Sequence, residues 1–246
     1  MRRFRIATYN IHKAQGMDGR TRVDRIADVL GEINADIVAL QEVVCRQGRI
    51  PEQDQARYLA DKLGYSFQIG ETRKHCGAVY GNVTLSRHPI RLTRFVDLTV
   101  AGREQRGALR TDIRIGREVL HVFNVHLGTS YLERRRQAPR LVDGELLHAV
   151  DISGPRVILG DFNEWTRGLV THTLSAEFHR TDLHVHLTRR RTYPALFPLL
   201  HLDHIYYDHH LQVDRAFFHR SRATLIASDH LPLVADLHLR RAQPHG

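Results

Sequence analysis

Six apolar runs in this chain each lead into or out of a polar side chain able to hold a metal or a phosphate. FRIATYN ends on Asn10, DIVALQE on Glu42 and LHVFNVH on His126, while VILGDFN carries Asp161 and Asn163, LDHIYY carries Asp203, and LIASDH carries Asp229 and His230. Strand ends are where a rigid scaffold presents its chemistry. A carboxylate there costs about several kcal/mol unless it is paired or bound to a metal. Glu42, Asp161, Asp203 and Asp229 therefore need a partner. A hard cation, Mg2+ or Mn2+ rather than zinc, supplies one and leaves places for water and a substrate phosphate. Hydrolysis of a phosphoester needs an in-line water, neutralised non-bridging oxygens and help for the leaving oxygen, and metal, amide and imidazole cover those roles. Histidine suits the proton transfers because its ordinary pKa is about 6.5.

Spacing adds detail. In an extended GDFN segment, Asp161 and Asn163 project from one face while Phe162 turns inward. Asp203 and His204 point to opposite faces, which makes His204 structural or surface-exposed. Taken singly, each residue has a plainer reading: Asn10 as a turn residue, Glu42 as a surface ion-pair partner, His126 as a core histidine, Asp229 as a cap. Their joint placement favours a site.

The elements that must position these groups alternate from end to end, with no linker, repeat or low-complexity segment, so residues 1–246 read as a single domain. Strand-like runs fall at 4–9, 37–40, 79–86, 108–115, 119–125, 157–159, 205–207, 213–218 and 232–239. Helix-like stretches fall at 22–33, 52–63 and 131–150. The last contains Pro139, expected to kink it or mark its start, and Arg134, Arg135 and Arg136, expected on a solvated face. Two sheets packed together and flanked by helices follow from this mixture. Hydrophobic residues at 42% and charged residues at 26% exclude a disordered chain. No run approaches the roughly 20 apolar residues of a membrane span, and the start shows no export leader, so a cytoplasmic protein is expected. Cys45 and Cys76 lack metal-ligand spacing and read as buried thiols. A net charge of +9 points to an anionic partner. Oligomeric state is not encoded in any of these features.

With these residues assembled, the sequence resembles the endonuclease/exonuclease/phosphatase superfamily. TYNIH, LQE, YGNVTLSRHP, NVHLGT, GDFNEW, LDHIYY and SDHLPL occur in that family's order, from Ile6 to about Leu239. The resemblance implies an α/β fold, a four-layer α/β sandwich of two mostly antiparallel sheets packed face to face and flanked by helices. It implies that Glu42 is the principal metal ligand with Asn10 and Asp229 close by, and that Asp161 and Asn163 orient the attacking water and the phosphate. His230, aligned by Asp203, becomes the general base or a phosphate contact, and His126 acts on the opposite side. Asn82, in YGNV, matches a phosphate-side amide, and Arg106, in EQRGAL, matches a basic substrate contact.

Family membership implies the reaction type and leaves the substrate open. Abasic-site enzymes of the exonuclease-III kind tend to carry tyrosine where this chain has His126, which counts against that activity. Basic charge favours a nuclease-type phosphodiesterase on DNA or RNA. The alternative is a phosphatase or a phospholipase- or sphingomyelinase-like esterase on a lipid or small phosphate. YPALFPLL is expected to fill core, with Pro194 and Pro198 shaping a loop, and the arginine run 189–191 to be a solvated loop. A non-catalytic polyanion-binding module is the third reading, and the complete set of polar residues argues against it.

Overall fold

The computed structural model describes residues 3–48, 50–143, 146–165, 168–181, 192–196 and 199–240. The arginine run 189–191 and Pro198 lie outside them. In chain order the strands are β1 (Arg3–Asn10), β2 (Ile37–Cys45), β3 (Ser66–His75), β4 (Ala78–Ser86), β5 (Ile90–Asp97) and β6 (Gly107–Ile115), followed by β7 (Glu118–His126), β8 (Arg156–Asp161), β9 (His179–Arg180), β10 (Asp203–Tyr207), β11 (Leu211–Phe218) and β12 (Leu233–Leu239). Helices are α1 (Val23–Ile33), α2 (Gln55–Leu63), α3 (Tyr131–Leu141), α4 (Leu169–Ser175) and α5 (Thr224–Ala227).

The strands form two six-stranded sheets, ordered β11-β12-β1-β2-β4-β3 and β5-β6-β7-β8-β10-β9. Each sheet is antiparallel except for one central parallel pair, β1 with β2 and β7 with β8. Adding six to each strand number, counted cyclically, converts the first order into the second. The two sheets therefore repeat one topology, and α1 and α3 occupy equivalent crossovers.

Period-two alternation explains the layers. Phe4, Ile6, Ile37 and Ala39 face Ile113, Val122, Leu159 and Ile205 between the sheets. Tyr9, Val38 and Leu40 turn the other way, onto Ile26, Leu30 and Leu59 of α1 and α2. Phe123, Val125 and Ile158 likewise pack on Ala138, Leu141, Val170 and Leu174 of α3 and α4. Helix, sheet, sheet, helix is the four-layer sandwich expected.

The sequence reading differs from the structure at several places. Strands β3 and β5 were not anticipated; both lie at sheet edges, and β5 is largely solvent-facing, so neither carries the apolar pattern of a central strand. The stretch 52–63 divides into a 3-10 turn at Pro51–Gln53 and α2, whose first turn is capped by the Asp54 side chain accepting from Arg57 N–H. Helix α3 stops at Leu141, because Pro139 can give no N–H to the preceding turn, and the chain then breaks into turns. Arg135 and Arg136 are exposed, but Arg134 is buried. Cys45 is half-buried and Cys76 exposed at a hairpin. In YPALFPLL, Ala195 is buried while Leu196 and Leu199 are exposed, so this stretch is no simple core filler. Among the described residues no helix is long and apolar enough to cross a membrane.

Candidate active site

Strand register gathers the polar residues. In the second sheet His126 at the end of β7 pairs with Asp161 at the end of β8, and Asp161 pairs with Asp203 at the start of β10, so three functional side chains form one row across adjacent strands. In the first sheet the equivalent strands β1, β2 and β4 carry Asn10, Glu42 and Asn82. Glu42 is not at a strand end as the sequence suggested. It sits inside β2 at a bulge between Leu40 and Val43, with φ 59°, which swings its carboxylate out of the pleat. The GDFN segment is not extended either: Asn163 has φ 50°, and its N–H donates to Asp161 Oδ1 at 2.9 Å, while Phe162 does turn into the core. His12, Lys13 and Ala14 also have positive φ, so five of the seven non-glycine residues with that conformation, among the described ones, belong to this end of the molecule.

Asn10 ties the sheets together here. Its Nδ2 donates to Glu42 Oε1 at 3.3 Å and to Asp161 Oδ2 at 3.0 Å, while its Oδ1 accepts the His12 N–H at 3.0 Å. Lys13 Nζ lies 3.2 Å from Glu42 Oε2. His230 Nδ1 is 3.0 Å from Asp203 Oδ2, and its Nε2 is 3.8 Å from Asp161 Oδ2, a point that His126 Nε2 also approaches at 3.7 Å. Asp229 stands at the open side, 3.7 Å from His12 Nδ1. Its neighbour Ser228 donates to the Asn10 carbonyl at 2.8 Å. Asn163 Nδ2 donates to the Leu127 carbonyl at 3.0 Å, fixing the loop that leaves His126. Asn82 is buried, its Nδ2 donating to the carbonyls of Gly107 and Asn124, both at 3.1 Å. Arg106 is buried with one Nη on Glu104 at 2.8 Å, not a solvated edge arginine. His204 is buried and structural, its Nε2 3.0 Å from the Glu164 carbonyl.

Burial and charge set opposite tendencies on the two histidines. Burial works against the charged form of His230, but Asp203 and Asp161 outweigh it and hold the group raised to about 10. Burial, reinforced by Arg106, pushes His126 down to about 4. Burial and the Asp203 charge raise Asp161, against the pull of His230. For Glu42 burial acts upward, yet His126, Lys13 and Asn10 bring it down to about 2. The site thus pairs a cationic imidazole with a neutral one.

A divalent cation fits this donor set in two respects. Ligand atoms of Asp161, Asp203 and His230 all lie within 4.8 Å of one another, and among the described residues the buried Asp203 Oδ1 has no hydrogen-bond partner, although a His230 that holds its proton offers this cluster no lone pair. Glu42, with its side chain 18% exposed, already faces a cation in the Lys13 ammonium. The oxygen-rich set matches hard ions.

Several contributors escaped the sequence reading. Lys13 follows Asn10 closely enough in TYNIHK to have been suspected. Tyr193, whose ring centroid is 5.0 Å from that of His230, and Asn124, which joins the two sheets behind Glu42, gave no local signal.

Comparison with known proteins agrees with this geometry. The family model described as endonuclease/exonuclease/phosphatase matches residues 7–230. The uncharacterized protein YbhP of Escherichia coli K12 is 32% identical over 249 residues, covering 96% of each chain. An endonuclease/exonuclease/phosphatase structure from Beutenbergia cavernae superposes with TM-score 0.74 at 26% identity, covering 97% of this chain and 72% of the other. The human Nocturnin catalytic domain, with bound sulfate, has the same fold at TM-score 0.74 and 19% identity, covering 97% and 95%. Motif order, sandwich topology and the row of acids and histidines at one end of both sheets all place this chain in the endonuclease/exonuclease/phosphatase family, whose members are phosphoesterase hydrolases.

Proposed function

We propose that this protein is a divalent-metal-dependent phosphodiesterase of the nuclease type, acting on DNA or RNA, with residues 1–246 working as one catalytic domain. The carrying observation is the convergence of Asn10, Glu42, His126, Asp161, Asn163, Asp203 and His230 from both sheets on one end of the sandwich. The net charge of +9 favours a polyanionic substrate. Glu42, with Asn10 and Asp229, would hold Mg2+ or Mn2+, because Glu42 is the more open acid and already attracts Lys13. When bound, the ion neutralises a non-bridging oxygen and eases departure of the leaving oxygen.

The chain's own groups divide the remaining work. His230, held through Nδ1 by Asp203 and kept charged by Asp203 and Asp161, anchors the phosphate. Asp161 takes the proton of the attacking water, since burial raises its basicity and the Asn163 N–H leaves Oδ2 on the site side. His126, neutral at pH 7, donates a hydrogen bond to oxygen charge on the opposite side. Asn82 and Arg106 sit behind these groups and complete the phosphate side.

A second reading, an esterase on a lipid or small-molecule phosphate, draws on Leu196 and Leu199, exposed close in sequence to the Tyr193 ring that packs on His230. One screen separates the two. Protein with Mg2+ or Mn2+ is offered single- and double-stranded DNA, RNA, phospholipids and small phosphate esters, with His230→Ala as the blank. Cleavage of nucleic acid is expected. Intact nucleic acid alongside turnover of a phospholipid or sugar phosphate would replace the first reading with the second.

A further inference from the structure

Trp165 lies two residues beyond Asn163 and four beyond Asp161, and 51% of it is exposed. A single exposed indole is ordinary on a protein surface, but this one follows directly on Asp161 and Asn163 in the sequence. The preceding residue, Glu164, is buried; its carboxylate accepts the Val170 N–H at 3.3 Å, the Thr171 N–H at 2.8 Å and the Thr171 hydroxyl at 2.6 Å. Gly168 is confined to glycine, because a Cβ there collides with Glu164 Oε1. The Glu164 carbonyl is held in turn by His204.

Arg134 backs the ring. Its guanidinium carbon lies 5.4 Å from the indole centroid. The arginine is itself 5% exposed, and its Nη1 donates to the carbonyls of Gly128 at 3.0 Å and Thr129 at 2.7 Å, in the loop leaving His126. Among the described residues the Arg134 Nε has no partner, so the guanidinium is held by these two carbonyls and by its packing against the ring. A buried cation thus lies against the ring, which keeps 51% of its surface exposed two residues beyond Asn163. A flat ring pinned from behind offers a stacking face, whereas a membrane anchor needs an indole whose tip projects freely.

We propose that Trp165, pinned by Arg134, is the platform on which a nucleobase joined to the scissile phosphate stacks. This rests on the phosphodiesterase reading above and adds the recognition of the base. Stacking on an indole tolerates any base, so the platform selects nucleotides from other phosphates without selecting sequence.

Trp165 is the sole tryptophan of the chain, so its fluorescence reports the contact directly. Full-length protein in Mg2+ is titrated with AMP and with ribose 5-phosphate, which lacks the base, following indole emission and binding heat, with phosphate release monitored. AMP is expected to quench the emission and to bind at least about fivefold tighter than ribose 5-phosphate, the lower end for a base–aromatic stack. Trp165→Leu should erase that difference, and Trp165→Phe should keep most of it, with unchanged circular dichroism for both. Equal binding of the two ligands, or a difference surviving in Trp165→Leu, overturns the platform. A blue shift on phosphatidylglycerol vesicles without a response to AMP also overturns it, in favour of a lipid surface. Nucleic acid cleaved equally well by wild type and Trp165→Leu, with equal binding, removes the platform and leaves the phosphodiesterase reading standing. AMP stacking without turnover of any nucleic acid does the reverse.

Discussion

Replacing Asn124 by alanine tests whether the two sheets are locked together from within. Asn124 is fully buried on β7, yet its Nδ2 donates across the sandwich to the carbonyls of Leu40 and Val83, both at 3.0 Å, and its Oδ1 accepts from Gln41 Nε2 at 2.9 Å. Gln41 keeps Thr8 and Ala39 as partners, and Leu40 and Val83 stay paired across the β2–β4 ladder, but all three bonds to Asn124 are lost. A buried hydrogen bond contributes about 0.5–1.5 kcal/mol net, so Asn124→Ala should lose about 1.5–4.5 kcal/mol. That is a large part of the ~5–15 kcal/mol typical of a folded protein. Urea unfolding followed by circular dichroism measures it, with a lower midpoint at an unchanged slope as the expected outcome. Leu40 adjoins the bulge that presents Glu42, so the variant should also show a smaller rise in melting temperature on adding Mg2+. A loss below about 1 kcal/mol would refute the reasoning, because water would then have replaced the three bonds at no cost.

Glu42→Gln should abolish the Mg2+-dependent rise in melting temperature, whereas Lys13→Met should tighten Mg2+ binding about fivefold by removing a competing ammonium worth about 1 kcal/mol; calorimetry showing weaker binding in Lys13→Met would contradict this. Asp203→Asn should lower kcat/KM by about 10²–10³-fold, through KM as well as kcat, since it removes the group that orients and charges the His230 that anchors the phosphate; a fall in kcat alone would point to His230 as a proton carrier instead. The buried Arg110 grips Asp112 through Nε at 2.9 Å and Nη2 at 2.8 Å, and Asp151 through Nη1 at 2.8 Å, so Arg110→Met should cost about 3–5 kcal/mol in urea unfolding. Burial raises Asp112, but His121 and Arg110 outweigh it and hold the carboxyl below its ordinary 3.8. The stability it contributes is therefore full above that value and is lost as pH falls through the lower folded value. Acid unfolding of Arg110→Met should begin at higher pH than in the wild type, and coincident acid curves would exclude the pair as the cause.

Central strands were legible because burial on both faces writes a dense apolar run, as in IATYN and VILGD, and the polar residue closing such a run stands out. Edge strands were not. SFQIGETRKH and IRLTRFVD are half-solvated and hydrogen-bonded on one side, which relaxes the pattern that a reader depends on. The site residues were named by motif, yet the backbone devices that aim them were hidden: the bulge at Glu42 and the turn at Asn163 arise from tertiary register. Arg134 shows the same limit. In a run of three arginines nothing local distinguishes the one that the fold buries beneath Trp165.

The cyclic strand order has a consequence for how the protein is made. Every strand of the second sheet lies between residues 90 and 207, so that sheet can close as soon as β10 has been synthesised. The first sheet cannot. Its strand β1 is flanked by β12, with Arg3 opposite His238, so β1 waits for a partner made more than 200 residues later. Asp229 and His230 arrive on the segment just before β12, so the nascent chain carries Asn10, Glu42 and Asp161 without the rest of its machinery until that pairing forms. The convergence of these residues is thereby withheld from an incomplete polypeptide by the order of its strands alone.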